Sequence, residues 1–296
     1  MEPIFETENS YVNESESISK GNKMLYKFCE DNPLDNSATS LLAKIWIIGR
    51  SYAASPERRT YGAAYKTKNI NGEDIKLNLN TGSNGTDSFF LKLSKFIIQN
   101  EKYEELVNLI DKCKKKSFTY DIKRDKQLLV DTVSIVLTFN RILRESIEKC
   151  DEDALSLFER KTGTSRNERN LKFFISFCSK FMHFHLPNTV YIIDSFSSSH
   201  AKVKDTSIKS YIYKNIYGET LLTIPYEKTK VLEDLYKSKE KSDEKNKEKA
   251  YINHVERCYA IQLELHNRYK CNITPRMVDN FLMNNNISTS GDDSIE

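Results

Sequence analysis

The apolar residues of this chain recur in steps of three and four over long stretches. From Leu128 to Ile147 they keep mostly to this spacing, which places them on one face of a long α-helix spanning 121–150. Further helices are predicted at 36–48, 87–100, 154–161, 170–186 and 231–269, and after Thr274-Pro275. Glycine and proline, which disfavour helices, number only 9 and 6 among 296 residues. The sequence therefore predicts a mainly α-helical protein.

One short region departs from the helical pattern. Asn71-Gly72 lies between Ile70 and Ile75, and Asn-Gly flanked by apolar residues is typical of a tight β-hairpin turn. We therefore expect a small two-stranded hairpin flap within residues 61–86.

Both ends of the sequence are polar and rich in serine, asparagine and acidic residues. Residues 1–20 and 285–296 are therefore predicted to be disordered tails around one helical domain at 21–284. Within that domain, Lys237–Lys249 is nearly all charge, which is typical of a solvated helix face or a mobile connector.

The composition limits the compartment and the cofactors. No apolar stretch approaches the roughly 20 residues that span a bilayer, and the acidic N-terminus does not resemble a secretion signal, so we expect a cytoplasmic protein with no membrane partner. The six cysteines form no C-x-x-C pair, which favours buried reduced thiols over disulfides or zinc, and we expect no metal and no cofactor. The net charge is only +3, but the acidic tails leave a more basic body that is compatible with a phosphate backbone.

The stretch from Phe173 to Ala201 is the part of the sequence that could carry chemistry. Lys180 lies at the edge of an aromatic helix face, roughly 20° from Phe173 on a helical wheel. Partial desolvation would favour a nucleophilic amine at this position. An extended apolar run then leads to Asp194, which can cap a helix starting at Ser195. A lysine and a carboxylate brought together by a turn suit amine catalysis at a sugar carbon.

Ordinary structural roles remain open for the same residues. A lysine beside an apolar face often extends its amine to water, and an aspartate after an apolar run is often only a helix cap. His183 and His185 are two residues apart on a helix and so point in different directions. We therefore expect one surface histidine and one packed histidine rather than a shared metal site.

Two sequence motifs resemble those of helix-hairpin-helix DNA glycosylases. They are Ser179-Lys-Phe-Met-His-Phe-His-Leu-Pro with Ile192-Ile-Asp-Ser, and Trp46-Ile-Ile-Gly-Arg-Ser-Tyr-Ala-Ala-Ser-Pro-Glu-Arg-Arg59. Both are similar to the bacterial group with the 8-oxoguanine glycosylase fold, some members of which act in phage defence on modified cytosines. The resemblance implies a two-lobed helical architecture with a cleft, a monomer, and double-stranded DNA as partner. It implies that Lys180 attacks the sugar and that Asp194 stabilises the developing positive charge.

The same resemblance implies further contacts with DNA or the flipped base. Arginine side chains bind phosphate in two-pronged fashion and aromatic rings stack on bases. Residues 161–169 contain one glycine, whereas the hairpin of familiar members is glycine-rich, so basic side chains are expected to grip phosphates there. The residues expected to contact DNA are Arg50, Tyr52, Arg58, Arg59, Lys161, Arg166, Arg169, His183 and Ser195. An ordinary loop, in which Glu57 pairs with an arginine, is the alternative for the first four.

The sequence thus leads to the hypothesis of a DNA glycosylase. It would excise a damaged or modified base, such as a modified phage cytosine, with or without strand cleavage, in repair or in antiviral defence. One alternative is a nucleic-acid-binding or sensing module that has the scaffold without the chemistry. The other is a helical partner-binding protein whose working surface is Lys237–Lys249.

Overall fold

The structure is a computed structural model that describes residues 16–34, 37–52, 65–68, 74–77, 85–162, 174–193, 210–214, 220–225, 230–232, 243–284 and 286–290. The helices in these ranges are α1 (Glu16–Asp31), α2 (Ala38–Ser51), α3 (Gly85–Ile98), α4 (Tyr103–Lys114), α5 (Ile122–Thr162), α6 (Ile175–His185), α7 (Asp243–Tyr269) and α8 (Pro275–Asn284). The strands are β1 (Tyr65–Lys68), β2 (Asp74–Leu77), β3 (Ser210–Lys214), β4 (Thr220–Pro225) and β5 (Asn286–Ser290). The prediction of a mainly helical protein is confirmed.

Helix α5 runs without interruption for 41 residues. Separate helices at 121–150 and 154–161 were expected, and that prediction is wrong. Residues 122–162 contain no glycine or proline, so nothing in the sequence forces a break between the two apolar series. One helix thus supports α3, α4, α6 and α7, all of which pack against it.

Ser37 caps the start of α2. Ser37 has an extended backbone, and its hydroxyl accepts a hydrogen bond from the backbone N–H of Ser40 at 3.2 Å. This bond satisfies one of the donors that the first turn of a helix leaves unpaired.

We therefore expect Ser37→Ala to lower the free energy of unfolding by about 1 kcal/mol, the usual cost of losing such a cap. Thr39→Ala is the matched control, because Thr39 is an exposed residue inside the helix, and it should change stability much less. Urea denaturation of both variants measures the difference. Equal losses would show that Ser37 does not cap α2.

The strands form two small antiparallel sheets. Strands β1 and β2 pair with Lys68 opposite Asp74, which encloses Asn71-Gly72 and confirms the predicted hairpin flap. Strands β4, β3 and β5 form a second sheet in that order, which was not predicted.

Regular secondary structure extends into both of the segments that were predicted to be disordered tails. Strand β5 pairs along the whole of β3, so residues 286–290 are part of the fold rather than a disordered tail at 285–296. At the other end, α1 begins at Glu16, inside the predicted tail of residues 1–20. A short polar strand at a sheet edge has little apolar signal, which explains why composition alone misplaced the C-terminal boundary.

Helix α6 occupies the centre of the helical part. It packs against α1, α2 and α5, and every side chain from Phe177 to Leu186 is buried. The ring centroid of Phe181 lies 4.8 Å from that of Phe139 on α5. All six cysteines are free thiols, and five of them are buried, as expected. None of the helices in the described ranges is both long and apolar enough to cross a membrane.

Candidate functional site

Lys180 lies in the middle of α6 and is almost wholly buried. Only 8% of its surface is exposed, and its Nζ lies 5.6 Å from the centroid of the Tyr52 ring. A cation over an aromatic face at this distance is attracted by the electrons of the ring. The sequence placed Lys180 at the edge of an apolar face, where it could extend to water. Instead, the packing of α6 on several sides encloses it.

Tyr52 connects the two sequence motifs in space. It ends α2, its ring centroid lies 5.5 Å from that of Phe184, and its hydroxyl donates a hydrogen bond to Asn22 of α1. Tyr52 of the motif at residues 46–59 therefore lies against Lys180 of the motif at residues 179–187. Arg50, two residues earlier, is exposed in the last turn of α2.

His183 is an interior residue rather than a surface residue. It is fully buried, so the expectation that it contacts DNA is wrong for this conformation. Its Nδ1 lies 2.7 Å from the carbonyl oxygen of Val190 and its Nε2 lies 2.6 Å from the hydroxyl of Tyr26. Because a carbonyl only accepts, Nδ1 carries the proton and Nε2 accepts from Tyr26. Burial, opposed by the bond to Val190 and assisted by the charge of Arg276, lowers the pKa of His183 to about 4.

His185 is also buried, which corrects the expectation of one surface and one packed histidine. The i, i+2 spacing does send the two rings in different directions, but α6 is covered by neighbours in both. Burial, with the nearby charges of Lys44 and Lys114, lowers the pKa of His185 to about 3. Both imidazoles are therefore neutral near pH 7.

After the turn at Pro187, residues 190–193 run back alongside α6 and are held by side chains; we call them the return segment. Its first carbonyl accepts from His183, and the hydroxyl of Ser179 accepts from the backbone N–H of Ile193 at 3.1 Å. The carbonyl of Ile192 accepts from Nε2 of His254 on α7 at 2.8 Å. Extended backbone without a neighbouring strand needs such partners when it is buried. The return segment is thus fixed against α6 and α7.

The return segment brings the chain back to the level of Lys180. Ile193 precedes Asp194 in sequence, and its N–H is bonded to Ser179, the residue before Lys180. Asp194 itself lies outside the described residues. So do Ser195, Arg58, Arg59, Arg166 and Arg169, and the side chain of Lys161 in the last turn of α5 is likewise not described.

Sequence reasoning missed the side chains that hold the return segment. Ser179 belongs to one of the two sequence motifs, whereas Tyr26 and His254 belong to neither. His254 lies 62 positions from the carbonyl that it binds, so no local pattern connects the two. Among the described residues, no group of three or more histidine, cysteine or acidic side chains is placed to hold a metal ion.

A second polar feature lies at the other end of the return segment. A cavity of about 140 Å³ opens between the loop after α4 and the turn after Pro187. Its polar lining comes from Ser117, Tyr120, Asn188, Gln262, Asn272 and Thr274. Tyr120 has a left-handed backbone (φ 62°), and its ring stacks on His266 with centroids 3.7 Å apart.

Comparisons with known proteins identify no similar protein. No protein-family model matches the chain, and neither the curated proteins nor the solved structures yield a match.

Proposed function

We propose that the protein is a DNA N-glycosylase that excises a damaged or modified base through Lys180 and Asp194. The observation that carries the proposal is the convergence of two distant motifs on one buried amine. Tyr52, from the first motif, lies against Lys180 of the second, and Ser179 fixes the residue that precedes Asp194. Burying a lysine costs free energy, and such costs concentrate at functional sites.

The proposed chemistry uses two groups of the chain. Nζ of Lys180 forms a bond to C1′ of the deoxyribose while the glycosidic C–N bond breaks and its electron pair leaves with the base. The carboxylate of Asp194 takes the proton that the amine loses and stabilises the positive charge that develops on the sugar. The nitrogen lone pair then forms a C=N bond to C1′ as the C1′–O4′ bond breaks, and O4′ takes the proton back from Asp194. The product is a Schiff base, from which strand cleavage can follow.

In this proposal the aromatic ring of Tyr52, which lies next to the amine of Lys180, helps to receive the flipped base. A base that leaves the duplex needs a flat apolar surface in the pocket that receives it. Burial around Lys180 also limits the water that could compete with the sugar. Tyr52 would therefore both pack against the amine and line the pocket for the target nucleotide.

Covalent trapping tests the proposal. The parent protein is incubated with duplexes carrying single damaged or phage-type modified bases, and borohydride is added to reduce any Schiff base. We expect a protein–DNA adduct with at least one of these duplexes and its complete loss in Lys180→Met, because methionine keeps most of the volume and has no amine.

The control must remove a lysine without disturbing the core. Lys44 is unsuitable, because it is fully buried and its Nζ donates to the carbonyl of Pro33 at 2.9 Å. Lys95 is exposed on α3, so Lys95→Met should leave trapping unchanged. An adduct that persists in Lys180→Met, or no abasic product on any duplex, would contradict the proposal.

A binding module without chemistry is the second candidate. The contact of Lys180 with the Tyr52 ring is equally consistent with it, because a cation–aromatic contact can stabilise packing without any chemistry. This candidate predicts salt-sensitive DNA binding, no abasic product, and unchanged DNA affinity in Lys180→Met.

A further inference from the structure

The turn between α4 and α5 carries an unusual concentration of positive charge. Residues 112–126, here called the basic turn, contain seven basic residues and two acidic ones, a net charge of +5. The whole chain has a net charge of only +3, so the rest of the sequence sums to −2. The basic residues are Lys112, Lys114, Lys115, Lys116, Lys123, Arg124 and Lys126, and all are exposed.

Helix stability does not account for this arrangement. Lys112 and Lys114 lie in the last turn of α4, where positive charge is favourable because it complements the helix dipole. Lys123 and Arg124 lie in the first turn of α5, where the same dipole disfavours positive charge. The basic turn therefore accumulates cations on both sides of a chain reversal, including the side where the fold gains nothing from them.

The acidic residues of the basic turn are largely committed to structure. Asp125 is buried, and its carboxylate accepts from the backbone and hydroxyl of Thr119 and from the hydroxyl of Tyr259. Asp121 accepts from the backbone N–H of Lys123 and lies 3.5 Å from the guanidinium of Arg124. Of the lysines that precede Ser117 in the sequence, Lys112 has its Nζ 3.8 Å from a carboxylate oxygen of Asp131 on α5.

The basic turn is also held in a fixed shape. The hydroxyl of Tyr120 bonds to the backbone of Ile273, its ring stacks on His266, and Asp125 ties down Thr119. A rigid cationic loop loses little conformational freedom on binding, which leaves more of its electrostatic attraction for affinity. The cavity beneath it presents hydroxyl and amide groups, which commonly join lysines in contacts with phosphate and sugar.

From these observations we propose that the basic turn is a contact surface for the phosphate backbone of DNA. The choice of DNA as the polyanion rests on the proposed function. The position of the contact surface rests only on the charges and the fold. The turn that starts the return segment connects the surface to the candidate site, because Asn188 in this turn lines the same cavity as Ser117 and Tyr120. The surface shares no residue with the motif at residues 46–59, which contacts Lys180 through Tyr52.

Fluorescence anisotropy of a labelled DNA duplex of about 20 base pairs, titrated with the full chain at several salt concentrations, tests the surface. We expect Lys115→Gln with Lys116→Gln to weaken binding about tenfold at low salt. The slope of log affinity against log salt should become shallower by about 2, since each phosphate contact contributes about 0.9. Both lysines are exposed, so the double variant should fold normally, which circular dichroism checks.

The matched control is Lys92→Gln with Lys95→Gln, which removes the same charge from the exposed face of α3. It should leave both affinity and slope near the parent values. An equal loss in the two double variants, displacement of DNA by polyglutamate at the same charge concentration, or absence of DNA binding by the parent would each overturn the proposal.

Measuring DNA binding by anisotropy tests the contact surface independently of the proposed glycosylase activity. Anisotropy needs no excision, so a protein that binds through the basic turn but forms no abasic product would refute the glycosylase proposal alone. Conversely, normal trapping with no effect of the Lys115/Lys116 double variant on affinity would refute the surface alone.

Discussion

Asp194→Asn is expected to slow base excision by about a thousandfold while leaving DNA affinity within about twofold of the parent. General acid–base catalysis contributes roughly 10² to 10⁴ in rate, and loss of the carboxylate also removes stabilisation of the charge on the sugar. Asparagine has nearly the same shape as aspartate, so packing next to the return segment should survive. Single-turnover excision with protein in excess measures the chemical step without interference from product release.

Asp111→Asn is the control for this experiment, because Asp111 is exposed on α4 and should have no effect on the rate. Equal rates for Asp194→Asn and the parent would remove Asp194 from the mechanism. Loss of excision together with loss of DNA affinity would instead point to a damaged fold, which thermal unfolding would reveal.

The free energy of unfolding is expected to fall steeply in mild acid, by about 2.5 kcal/mol for each of the two buried histidines between pH 7.5 and 4.5. An ordinary histidine takes up a proton near pH 6.5, whereas burial holds the pKa of His183 at about 4 and that of His185 at about 3. Below pH 6.5 the unfolded chain therefore binds more protons than the folded one. Stability is fully present above pH 6.5 and is lost as the pH falls toward these lower values.

Urea denaturation at a series of pH values measures this effect. His185→Phe should remove about half of the acid-induced loss, because phenylalanine can remain in the apolar surroundings beside Phe181 and does not titrate. Phe184→Leu, on the same helix, should lower stability by a similar amount at every pH and so serves as the control. An unchanged pH dependence in His185→Phe would show that this histidine is not buried in its neutral form.

Much of the helical framework could be predicted from local patterns. The Ser37 cap, the Thr274-Pro275 start and the Asn-Gly hairpin each depend on residues within a few positions of one another, so the sequence contains the whole signal. The bond from Met277 N–H to the hydroxyl of Thr274, at 3.3 Å, is the expected cap. Such features need no knowledge of the tertiary fold.

The sheet β4-β3-β5 shows where this approach fails. Leu222 and Ile224 alternate with exposed residues in β4, and this two-residue period is typical of a strand with one buried face. Strand β5 lies more than 70 residues beyond β3, and its polar composition is indistinguishable from that of a tail. Only the long-range pairing reveals it.

The candidate site could be predicted only where it depends on residues that are close together in the sequence. The proximity of Lys180 to the return segment follows from a turn at Pro187 and needs few residues. The contact with Tyr52 and the bond from His254 depend on how α2 and α7 pack around α6. The burial of His183 depends on the same packing, because a helix covered on only one side would leave this ring exposed to water.

The continuity of α5 sets a length scale for any DNA that the protein holds. Lys123 of the basic turn and Phe139, which packs on the helix of Lys180, lie on this one helix, so their separation along its axis is roughly 24 Å at 1.5 Å per residue. That length corresponds to about seven base pairs of duplex at 3.4 Å each. A duplex engaged at both places would need about that much DNA on one side of the target base, and the footprint of the protein would be lopsided.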